Sequence, residues 1–166
     1  MKTADLMDFF QSELQSCEIQ FQDFGGKKSF YGPCKTLMCR NDNLLLKQML
    51  EEPAYGHILV VDGTASYSAA LLGDMLAEIG MNNNWAGIII NGVIRDKLAV
   101  GKLDFGIKAL GTNPKRSAKN GDGVTNIPVF IGGCKIEPGD WVYSDEDGIL
   151  IAGREIPLAQ VQEMPY

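Results

Sequence analysis

A chain of 166 residues with 45% hydrophobic and 22% charged residues has the size and balance of one globular domain, which excludes disorder, collagen and coiled coil. Fifteen basic residues against 21 acidic ones give a net charge of −6, a field that repels a phosphate backbone and argues against a dedicated nucleic-acid binder. The apolar runs 58–61 and 88–90 fall far short of the roughly 20 residues needed to span a bilayer. The opening MKTADLMDFFQSEL lacks the basic and apolar regions of a signal peptide, so a cytoplasmic protein without membrane contact is expected.

In chain order, Thr3 precedes a helical pattern with Leu6, Phe9, Phe10 and Leu14 on one face. Gly25-Gly26 ends that region. Residues 30–40 read as extended, with Pro33 expected at an edge or a bulge because it has no N–H for a ladder. Asn41-Asp42-Asn43 caps a helix whose apolar face is Leu44, Leu45, Met49 and Leu50, stopped by Pro53 and Gly56. The run 57–61 is a buried strand that Asp62-Gly63 should close. A short apolar stretch 69–72, a helix over 75–79, a buried strand 86–90 ending at Asn91-Gly92, a helix within 95–103 and a strand 106–110 follow. Buried strands alternating with helices indicate an α/β layer.

From Ile127 the strands become short and closely spaced: 129–131, then 141–143 after the turn Pro138-Gly139-Asp140, then 148–151. Ser144-Asp145-Glu146-Asp147-Gly148 lacks the oxygen spacing of a calcium loop and reads as a hairpin turn. The expectation is one α/β domain over residues 1–166 with a substantial antiparallel, barrel-like component.

The segment from Leu72 to Asp96 carries the chemistry. Gly73-Asp74 interrupts an apolar stretch just before a helix, which leaves the Met75 and Leu76 amides without intrahelical partners. A helix start of this kind favours an anion such as a carboxylate. Twenty residues separate Asp74 from Arg95, and the intervening helix and strand return the chain to the same end of the sheet. Arg95 is then a two-pronged donor for a carboxylate, beside Asp96 as a hard oxygen ligand for Mg²⁺ or Mn²⁺. Such a site would hold a 2-oxo acid and stabilise the enolate left when a C–C bond breaks. On general grounds an Arg-Asp pair after a strand is more often a loop ion pair, and Gly73 serves close packing as readily as binding.

The segments LLGDMLAEIG, NNNWAGIIINGVIRD and FIGGCKIEPGDWVYSDEDGILIA together resemble the RraA-like family, over about residues 20–155. The resemblance implies a swivelling β/β/α fold and a homotrimer with sites at subunit interfaces. It also implies one of two activities. The first is a divalent-metal-dependent (Mg or Mn) lyase, a class II aldolase acting on 4-hydroxy-4-methyl-2-oxoglutarate or a similar 2-oxo dicarboxylate and releasing pyruvate, with oxaloacetate decarboxylation beside it. In that branch Gly73, Asp74, Met75, Leu76 and Arg95 bind the pyruvoyl end, Asp96 holds the metal, and Asp74 meets the metal through water. The alternative is a protein-binding inhibitor of an endoribonuclease with no catalytic role. Retention of Asp96 favours the enzyme. Longer aldolases of the family draw an acidic residue from a neighbouring subunit, and neither Glu155 nor Glu163 matches it.

The remaining features have plainer readings. Cys17, Cys34, Cys39 and Cys134 form no metal-binding pattern and are expected to be reduced, mostly buried thiols. His57 is expected to be structural, and Trp85 and Trp141 core or interface aromatics. Lys108, Lys115, Arg116 and Lys119 form one basic cluster, expected in a solvated loop, with a clamp for a second carboxylate as its functional reading. Neither Lys97 nor Lys108 carries a mark of a Schiff-base lysine.

Overall fold

The computed structural model describes residues 1–162. Its elements are α1 (Thr3–Phe10), β1 (Leu14–Ser16), β2 (Gln22–Asp23), β3 (Phe30–Met38), α2 (Leu44–Leu50), β4 (Ile58–Leu72) and α3 (Asp74–Asn82). These are followed by β5 (Gly87–Ile94), α4 (Lys97–Val100), β6 (Gly106–Thr112), β7 (Val124–Thr125), β8 (Val129–Ile131), β9 (Cys134–Ile136), β10 (Trp141–Ser144), β11 (Ile149–Ala152) and α5 (Leu158–Gln162). No helix among the described residues is long and apolar enough to cross a membrane.

The expected mixed α/β architecture is present. One sheet runs β1-β11-β10-β3-β4-β5-β6-β2, with β7 also paired to β3. Its centre, β3 to β6, is parallel, and its flanks are antiparallel. The two outermost strands, β1 and β2, are consecutive in the chain and separated only by residues 17–21. At about 3.3–3.6 Å per residue, so short a connection forces the sheet to curl until its edges approach. That curl is the barrel-like component.

The two faces bury different cores. Leu59, Val61, Ile88, Ile90 and Ile107 pack with Leu46 and Leu50 of α2 and Ala77 of α3. The alternate residues Ile58, Val60 and Ile89 point into the curl, where Val129, Ile131, Cys134 and Ile136 of the β8–β9 hairpin fill it. A strand buried on both faces needs a continuous apolar run, which is why 58–61 and 88–90 were readable as strands. Phe30 lies in the curl against Gly87 and Gly106, a cross-strand pair. A Cβ at Gly106 would sit 2.2 Å from its ring.

Several expectations are corrected. Asp62-Gly63 does not close a strand: β4 runs on to Leu72 through a bulge in which Thr64 and Ala65 adopt φ of 57° and 54°. Asp62 Oδ1 accepts bonds from Thr64 N and Asn91 Nδ2, so turn chemistry is used inside a strand. β5 likewise continues past Asn91-Gly92 to Ile94. Pro33 lies on a central strand, but at the last register position shared with β10 and one residue before pairing with β4 begins. Thr3 lies inside α1 rather than ahead of it, and its N and Oγ1 both donate to Asp145. Leu14 belongs to β1, not to the first helix.

Candidate functional site

β4 and β5 end side by side, with Leu72 paired to Ile94, and each feeds a short helix. Gly73 caps α3 in an extended conformation, φ −130° and ψ −171°. Asp96 caps α4 with φ 58° and ψ 39°, a left-handed conformation that Asp and Asn tolerate best among residues with a Cβ. This kink cuts the helix predicted within 95–103 down to Lys97–Val100. It also turns the Asp96 carboxylate back toward α3.

Arg95, Asp96 and the start of α3 therefore meet, as the spacing predicts. Arg95 Nε lies 3.7 Å from Asp96 Oδ2, and Asp74 N donates to the same oxygen at 3.3 Å. A Cβ at Gly73 would come within 2.6 Å of Asp96 Oδ2, so only glycine lets the carboxylate lie there. The Met75 amide differs from expectation: it donates to Asp74 Oδ1 at 2.7 Å instead of standing free. The first amide to bond back along α3 is Ala77 N, to Gly73 O, which leaves Leu76 N ahead of the intrahelical ladder.

These residues line a cleft of about 390 Å³ together with Asn43, Lys47, Glu51, Ala70, Ser117, Arg116 and Lys119. Five of the latter, all but Arg116 and Lys119, were not singled out as site residues in the sequence. Asn43 was read only as a cap; its Nδ2 donates to Leu71 O at 3.1 Å, while its buried Oδ1 has no partner among the described residues. Lys47 and Glu51 are an i,i+4 pair on α2, and Ser117 Oγ donates to Ala70 O at 2.7 Å. The i,i+4 spacing was the available signal for α2.

The basic segment is not a free loop. Asn113 N bonds to Ile94 O, Ala70 N to Lys115 O and Ala118 N to Asn41 O. Asp42 accepts from Asn120 N at 2.7 Å and Gly121 N at 3.2 Å. This stitching along β4 carries Arg116 and Lys119 to the cleft. Lys108 departs from the cluster altogether: at 2% exposure on β6 it pairs with Asp23 at 3.2 Å and donates to Asp145 O. His57 bonds through Nδ1 to Ala54 O, and Trp85 is buried in the helix-side core, as expected.

Among the described residues no three His, Cys, Asp or Glu side chains converge as a closed metal cage. Asp96, half exposed beside Asp74 in an open cleft, still fits a hydrated hard cation, because Mg²⁺ keeps several waters and takes only one or two carboxylates. The same donor set does not fit zinc, which seeks nitrogen and sulfur.

A parallel-centred, curled mixed sheet with its site at the shared ends of two parallel strands defines the class of protein. The chain belongs to the RraA-like family: the family model described as Aldolase/RraA matches residues 3–151. Among solved structures it is similar to one from Geobacillus kaustophilus described as an S-adenosylmethionine: 2-dimethylmenaquinone methyltransferase. The two share 46% identity over 96% of this chain and 98% of that one, with a TM-score of 0.93. It is also similar to the RNA-processing inhibitor RraA from Thermus thermophilis, at 36% identity over 94% of each chain and a TM-score of 0.91. Streptomyces coelicolor RraAS2, described as an unusual member of the RNase ES inhibitor RraA family, shares 28% identity over 98% of this chain and 83% of that one, with a TM-score of 0.75.

Proposed function

We propose that the protein is a divalent-metal-dependent lyase that cleaves a 2-oxo dicarboxylate, such as 4-hydroxy-4-methyl-2-oxoglutarate, to pyruvate, and decarboxylates oxaloacetate by the same electron flow. The observation that carries this reading is the meeting of Arg95, Asp96 and the α3 N-terminus in one cleft that also receives Arg116 and Lys119. Positive groups at two places in one cleft match an anion at each end of a small molecule.

Arg95 meets Asp96 through Nε, so its terminal nitrogens are free of that contact and suit the pyruvoyl carboxylate as a fork. Leu76 N, at the positive end of α3, adds a backbone donor. Asp96, with Asp74 beside it, would hold Mg²⁺ or Mn²⁺. When bound, the cation supplies a Lewis acid for the keto oxygen. Cleavage sends the bonding electrons toward that carbonyl, and Arg95 opposes the charge that builds there without moving. Asp74 fixes its own neighbour's amide and keeps the α3 terminus in register with Asp96.

Exposed Met75 (75%) lines the cleft and exposed Leu98 (84%) lies on α4 after Asp96, apolar surface that suits coverage by a second subunit. A closed homotrimer is the assembly this supports. Light scattering at micromolar concentration should give three times the chain mass; a monomer mass would contradict it.

The second reading is a protein-binding inhibitor of an endoribonuclease. The similarity to the two RraA structures and the net charge of −6 favour it. Pyruvate release from the two substrates, with Mg²⁺ or Mn²⁺ and with EDTA, separates lyase from inhibitor.

A further inference from the structure

Residues 17–21 cross from one edge of the main sheet to the other, and the β8–β9 hairpin lies against them. Cys17 N donates to Ile149 O at 3.0 Å, and Glu18 N donates to Gly132 O at 2.8 Å. Gly132 and Gly133, with φ of 56° and 81°, make the tight turn that sets Cys134 opposite Ile131. Cys17 Sγ lies 3.8 Å from Ile131 O, and a Cβ on Gly132 would come within 2.5 Å of that sulfur. The hairpin thus opens a place for the Cys17 side chain, which packs there against the buried cluster that contains Cys134.

The two sulfurs differ in access. Cys134 is 1% exposed, whereas Cys17 is half-buried and lines a small depression with Lys108 and Gly148. Their protons differ too. The neighbouring Cys134 thiol outweighs burial and holds the Cys17 thiol down at about 7. Cys134 is pushed up by its neighbour Cys17 and by burial. Burial also pushes Cys34 and Cys39 up, to about 12.

We propose that Cys17 and Cys134 form a reversible intramolecular disulfide by exchange with low-molecular-weight disulfides of the glutathione type. The Cys17 thiolate attacks one sulfur of the oxidised compound; that S–S bond breaks, and one small thiol leaves carrying the proton that Cys17 released. Cys134 then loses its proton and attacks Cys17 Sγ, and the second small thiol leaves. Two protein thiols give up two electrons, and one small disulfide is reduced to two thiols. The bond ties the 17–21 connection to the β8–β9 hairpin on the curled face, opposite the helices that border the cleft.

The test treats the whole protein with oxidised glutathione, quenches with acid, and counts free thiols after unfolding. Four thiols should fall to two, return to four with dithiothreitol, and map to a 17–134 linkage within one chain. Cys134→Ser should stop at a stable glutathione adduct on Cys17, and Cys17→Ser should keep its three remaining thiols. Persistence of four thiols in the native protein would overturn the proposal. So would a linkage that joins other cysteines or two chains, or a wild-type protein that stops at the glutathione adduct. The wild-type thiol count and linkage map keep the result decisive even where a serine variant fails to fold.

Discussion

Arg95 and Asp96 are adjacent in sequence but held by different means, and their substitutions should separate accordingly. Arg95→Lys keeps the charge and loses the planar fork. Loss of one charge-assisted bond to the substrate carboxylate should cost about 1.5–3 kcal/mol, a ten- to hundred-fold drop in kcat/KM. Steady-state kinetics that stay within twofold of wild type would end the carboxylate-clamp role. Asp96 carries a second constraint, its φ of 58°. Asparagine accepts that conformation, so Asp96→Asn should abolish metal-dependent turnover with little change in Tm. Asp96→Ala should lose the same activity and destabilise the fold by a further ~1–2 kcal/mol from the left-handed backbone alone. Denaturant titration of the two variants checks the difference.

At the scale of elements, glycines decide where side chains are permitted, and they do so in two ways. A Cβ at Gly73 meets the end of the Asp96 side chain, which can swing away, so Gly73→Ala should fold well yet weaken divalent-metal affinity and activity. Isothermal titration with Mn²⁺ tests it, and an unaltered affinity would show that Asp96 need not lie under α3. A Cβ at Gly106 or Gly87 instead meets the Phe30 ring at 2.2 or 2.5 Å inside a closed core. Gly106→Ala should therefore cost about 1–3 kcal/mol of stability by overpacking, read as a lower denaturation midpoint.

The same contrast explains what the sequence revealed. The runs 58–61 and 88–90 were legible because burial on both faces requires uninterrupted apolar residues. The interior of β4 beyond Asp62 was not, because Asp62-Gly63-Thr64 has turn composition and the bulge that absorbs it depends on Asn91 of the next strand. Asp74, Arg95 and Asp96 were legible from a spacing that one helix and one strand return to the sheet end. Asn43 and Ser117 come to the cleft through long-range packing that no local pattern encodes, and the i,i+4 spacing of Lys47 and Glu51 marks a helix surface without saying that it borders the cleft. Lys108 was misplaced for the same reason, its partner Asp23 being distant in sequence but directly opposite it on the neighbouring edge strand β2. Glu163, which does not match the neighbour-supplied acid of longer aldolases, lies outside the described residues.

Over the whole molecule, two buried carboxylates fasten distant parts of the chain. Burial raises the Asp145 carboxyl, but bonds from Thr3 Oγ1, Thr3 N and Asp147 N outweigh it and bring it below its ordinary value. Asp42 is held down in the same way, burial being outweighed by bonds from Leu44 N, Asn120 N and Gly121 N. Because both folded values are depressed, their stabilisation is complete above the ordinary Asp range near ~4 and is lost as pH falls through the folded values below it. The Tm gap between wild type and Asp145→Asn should thus be constant from pH 7 to ~5 and narrow in more acid solution. A gap that is independent of pH would contradict the assignment.

The claim that all of this serves is catalytic: an anion held by Arg95 and the α3 terminus beside a hydrated cation on Asp96. Pyruvate release from 4-hydroxy-4-methyl-2-oxoglutarate and from oxaloacetate tests it most directly, measured with Mg²⁺ or Mn²⁺, with EDTA, and in Arg95→Lys. The account predicts turnover that requires the metal, stops with EDTA and falls at least tenfold in the variant. Absence of pyruvate from both substrates in the metal-loaded, correctly assembled protein would contradict it.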